Sequence, residues 1–62
     1  MKNLQEYRTI AEIDWLIKEI DRNDGHLEER ARDATPAERL ADPHLNAMCN
    51  ALEHRAKLEA AA

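Results

Sequence analysis

The chain has 62 residues, a net charge of −4 and a single cysteine. A chain of this length holds one domain with a marginal core, and the lone Cys49 excludes an internal disulfide, so oligomerisation is the expected support. The opening Met1-Lys2-Asn3-Leu4-Gln5-Glu6 lacks an apolar signal core, and no apolar run approaches the ~20 residues of a membrane span. A cytoplasmic protein with no membrane partner is expected.

Ala, Glu, Leu, Arg and Lys dominate, with one Gly, two Pro and no Phe or Val. Straight-chain residues and Ala lose little freedom in a helix, whereas strands favour β-branched and aromatic residues. The expected fold class is therefore all-α.

Two helix-start signals lie near the N-terminus. Asn3 with Glu6, and Thr9 with Glu12, each have the spacing of a cap and its reciprocal carboxylate. The first is read as the start of the helix, with the second inside it. Ile10, Ile13, Ile17, Ile20, Asp24, Leu27, Ala31 and Ala34 then follow alternating steps of three and four, the seam of a coiled coil or hairpin, which Leu16 widens. The register persists through Gly25, which favours one continuous helix over about 4–33. The rival reading ends it at Asn23-Asp24-Gly25 as a C-cap. Asp24 on the seam is read as a solvated end, or alternatively as a polar residue that specifies register.

Thr35-Pro36-Ala37-Glu38 is the clearest punctuation: Thr35 caps, Pro36 suits the first helical position, and Glu38 completes a capping box. A turn over 34–36 is expected, then helix over 36–60 with a break or kink near 42–43, where Asp42-Pro43 repeats the start signal. Ala41, Leu45, Met48, Cys49, Leu52 and Ala56 form its seam. Two facing seams make an antiparallel helical hairpin.

Each helix carries a second apolar stripe. Leu4, Ala11 and Trp15 project opposite the isoleucine seam, with Tyr7 beside them, and Leu40, His44, Ala47, Ala51, His54 and Leu58 form a line of their own. A lone hairpin would leave both stripes in water. The second line is expected to build a homodimer, two hairpins forming a four-helix bundle. Tyr7, Ala11 and Trp15, flanked by Lys18 and Arg22, are the expected site for a different protein, because Trp and Tyr dominate interaction hot spots.

His44, Cys49 and His54 are five residues apart and point in different directions on a helix, so no metal site is expected. There is no phosphate loop, nucleophile elbow or acid–base cluster, so neither catalysis nor a cofactor is expected. Asp14 with Lys18, Glu28 with Arg32, and Glu53 with Lys57 have the spacing of helical ion pairs. Arg30, Arg32 and Arg39 form a basic cluster among acidic neighbours, a weak footprint for nucleic acid.

In length, heptad seams and short turn, the chain resembles the small helical hairpins encoded by plasmids and phages. One comparison is the Rop family, dimeric RNA-binding four-helix bundles. Another is the small phage anti-activators of quorum sensing, which bind and block a host regulator. These resemblances imply an inhibitor or adaptor that binds a larger host protein such as a LuxR-type transcription factor. The alternatives are a Rop-like RNA- or DNA-binding modulator and a purely structural assembly module.

Overall fold

The structure is a computed structural model, and it describes residues 3–23 and 25–61. Among these residues it is all-helical: a 3-10 turn over Leu4–Glu6, then α1 (Ile10–Asn23), α2 (Leu27–Arg32), α3 (Pro36–Ala41) and α4 (Pro43–Ala61). α4 is the hub, because α1, α2 and α3 all pack against it.

The continuous helix expected over about 4–33 is not what forms. The 3-10 turn ends at Tyr7, whose backbone is extended. α1 begins instead at the Thr9 signal: the Thr9 hydroxyl accepts from the Glu12 N–H at 3.2 Å, and the Thr9 carbonyl accepts from the Ile13 N–H at 3.1 Å. Asn3 makes no side-chain cap bond. A second interruption separates α1 from α2. Its left-handed residue is His26 (φ 71°), and Gly25 has no positive φ. The Asp21 carboxylate, in the last turns of α1, accepts the Glu28 N–H at 3.3 Å and so caps the start of α2. Asp24 lies outside the described residues.

The second half is organised by local caps. At α3 the Thr35 hydroxyl accepts from the Glu38 N–H (3.2 Å) while the Glu38 carboxylate accepts from the Thr35 N–H (3.0 Å). Pro36 occupies the first turn. Asp42 breaks the chain with extended backbone and then caps α4, its carboxylate accepting from the N–H groups of His44 (3.0 Å) and Leu45 (3.2 Å).

The core consists of Ile13 and Ile17 from α1, Leu27 and Ala31 from α2, and Leu45, Met48, Cys49 and Ala51 from α4, closed by Tyr7. Both α1 and α2 supply it, so the expected two-arm hairpin is replaced by three helices gathered on a fourth. α3 buries no residue. It is fastened by Arg39, whose guanidinium donates to Asn46 Oδ1 (2.9 Å), Asn50 Oδ1 (2.9 Å) and Glu53 Oε1 (3.0 Å) on successive turns of α4. A flat fork of donors meets three acceptors at once, a geometry a Lys ammonium does not offer.

Candidate docking groove

The α1 helix sets Ile13 and Ile17 into the core, and at ~100° per residue this turns Trp15 to the opposite side. Trp15 is 59% exposed, and Leu40 on α3 is 89% exposed; among the described residues these are the two large apolar side chains left open to solvent. Leu40 stands alone on a short helix, whereas Trp15 stands over a depression.

That depression is an open groove of about 1070 Å³. Ala11, Trp15, Leu16 and Ile20 of α1 form one wall and Leu4 and Tyr7 close one end. His44, Ala47 and Asn50 of α4 form the other wall. Glu12 and Glu19 are its carboxylates, and among the described residues no Lys or Arg lines it. Glu12 is held at the α1 start by the Thr9 hydroxyl (3.0 Å), and Glu19 pairs with Arg22 at 3.2 Å.

A second cleft lies between α1, α2 and α4, and most of its charged side chains are paired. Arg55 donates to Asp14 at 2.7 Å and also pairs with Glu59; Arg39 pairs with Glu53 (3.0 Å) and Arg32 with Glu28 (3.4 Å). Of the ion pairs expected from helical spacing, Glu28 with Arg32 forms. Asp14 and Glu53 instead find the tertiary partners Arg55 and Arg39.

The residues expected to bind a partner divide among three places. Ala11 and Trp15 line the groove. Tyr7 borders the groove at its end, but at 5% exposure its side chain belongs mainly to the core and not to the open surface expected. The reason is that Tyr7 lies outside any helix, so helical projection misplaced it. Lys18 lines the charged cleft, not the groove, and Arg22 pairs with Glu19 on the exposed side of α1.

The expected dimer stripe is also divided. Leu40, His44 and Ala47 are exposed. Ala51 is fully buried, Leu58 packs against the core, and the His54 ring lies 2.6 Å from the Tyr7 carbonyl. Ala51 is therefore corrected from a dimer contact to a contact within the protomer, while half-buried Leu58 and His54 turn part of their surface inward, because α4 is covered on more sides than a hairpin partner would cover. The groove thus joins part of each expected site, Ala11 and Trp15 with His44 and Ala47. Sequence reasoning missed Leu16, Ile20 and Asn50 as groove residues; only the placement of α1 beside α4 brings them in.

Among the described residues no group of three or more His, Cys, Asp and Glu side chains is placed to hold a metal ion. Cys49 is buried, and its thiol lies 3.5 Å from the Ala31 carbonyl. The basic cluster is internally engaged: Arg30 lies 3.5 Å from Asp42, and Arg32 and Arg39 have the carboxylate partners given above. Among the described residues no helix is long and apolar enough to cross a membrane. Comparison with family models, curated proteins and solved structures finds no match.

Proposed function

We propose that the chain is a small protein-binding module that docks another protein's apolar surface in the Trp15 groove. The observation that carries this reading is a large aromatic side chain held open beside a concave apolar wall. Burying the rest of the indole is worth on the order of 3 kcal/mol before the costs of association. Trp is also the residue type most enriched at interaction hot spots. In its specific form the module covers the active surface of a larger host protein such as a transcriptional regulator; that form rests on the resemblance in size and layout.

The test is photocrosslinking from position 15 in the cells that make the protein, with a control probe at exposed Lys57. A discrete adduct with one other protein, specific to position 15 and lost with Ala47→Arg, supports the reading. Equal adducts from both positions, or indifference to Ala47→Arg, would sink it.

A further inference from the structure

We infer that the occupant of the groove is an amphipathic helix of another protein whose apolar stripe is edged by Lys or Arg. The inference rests on the docking reading above and adds the chemistry of the partner.

The shape argument comes from the walls. Ala11, Trp15 and Glu19 recur one turn apart along α1, as do Glu12, Leu16 and Ile20, so the wall runs about 14 Å from Ala11 to Ile20. An apolar stripe at i, i+3, i+4 and i+7 has the same pitch, which is how an amphipathic helix fills a groove between helices. Recognition by strand addition needs an open strand edge, and the described residues contain no strand.

The charge argument comes from the rim. Glu12 and Glu19 sit one on each side of Trp15 along the wall, and among the described residues no Lys or Arg lines the groove. Arg22, the partner of Glu19, is 74% exposed, and a surface ion pair of this kind contributes little that an incoming cation would have to replace. The whole chain is acidic, at −4. Opposite charge at the edges of a groove steers and orders a partner. The same rim opposes a second copy of this chain, because symmetric pairing through the groove sets Glu12 and Glu19 of one copy against those of the other.

The test is selection from a displayed library of helices about four turns long. The library has a fixed Leu/Ile stripe and randomised flanks, and is counter-selected on Ala47→Arg. Trp15→Arg serves as a second blocking variant should Ala47→Arg lose its helical circular dichroism. The expected result is flanks enriched in Lys and Arg. Selected peptides should shift Trp15 emission to the blue, and should bind about tenfold more weakly to the E12Q/E19Q double variant or in added salt.

Groove-dependent binders with neutral or acidic flanks overturn the basic-helix inference and leave the docking reading standing. No binders, with a monomer by light scattering, overturn both. A dimer with buried Trp15 that Ala47→Arg dissociates makes a second copy the occupant, and also overturns both.

Discussion

The His54 ring nitrogen Nε2 lies 2.6 Å from the Tyr7 carbonyl oxygen, joining α4 to the segment that precedes α1. A carbonyl oxygen only accepts, so Nε2 carries the proton in this contact. The bond pins the extended residue that closes the core, since Tyr7 is a buried side chain outside any helix. His54→Ala should cost about 1 kcal/mol and release the N-terminal segment. Denaturant melts read the first effect. Faster amide exchange confined to residues near Tyr7 reads the second, and uniform exchange across the chain would contradict the assignment.

His26 and Gly25 invite opposite substitutions. His26 holds a left-handed conformation that costs an L-residue roughly 1 kcal/mol, and its exposed side chain makes a loose 3.9 Å contact to Glu29. His26→Gly should therefore stabilise the fold by somewhat under that amount. Gly25 has no positive φ, and a Cβ added there meets nothing within 4 Å. Gly25→Ala should stabilise by about 0.5 kcal/mol through the unfolded chain. Thermal melts of both variants check the pair.

Thr35→Ala should destabilise by about 1 kcal/mol through loss of the capping box. The box also has a pH signature. Hydrogen bonds from the Thr35 backbone N–H, then from its hydroxyl, hold the Glu38 carboxyl below its ordinary 4.5. A lowered folded-state pKa means the contribution is whole above the unfolded value and fades as pH falls through the folded one. Acid titration of stability should show a smaller loss below about pH 4.5 in Thr35→Ala than in the parent.

Arg39→Lys should destabilise by about 1–2 kcal/mol although the charge is kept, because three directed bonds are replaced by one point contact. Loss should fall on α3, which buries nothing of its own. Amide exchange over Pro36–Ala41 is the measurement, and an Arg39→Lys protein with unchanged exchange there would refute the fastening role.

The parts of this structure legible in the sequence are those decided locally or by period. Thr35, Pro36 and Glu38 mark the start of α3 because a capping box is complete within four residues. Ile13, Ile17, Leu27 and Ala31 fall in the core because the seam's phase follows the side that α4 covers. The same fact hid the break at His26: α1 and α2 both pack on α4, so the apolar register continues across an interruption of the helix. Tyr7 was misread because its position depends on an extended residue and not on helical periodicity. Trp15 was legible as exposed, being opposite the isoleucines. The groove beneath it was not, because Leu16 and Ile20 become a wall only when Ala47 and Asn50 stand across from them.

The dependence of every other helix on α4 has a consequence for biosynthesis. α4 spans Pro43–Ala61, so the ribosome releases α1, α2 and α3 before the surface they require has left it. Ile13, Ile17 and Leu27 lack their α4 partners until that helix has followed them out. The nascent chain must therefore wait, and its native packing is completed in one late step when α4 emerges, not segment by segment from the N-terminus.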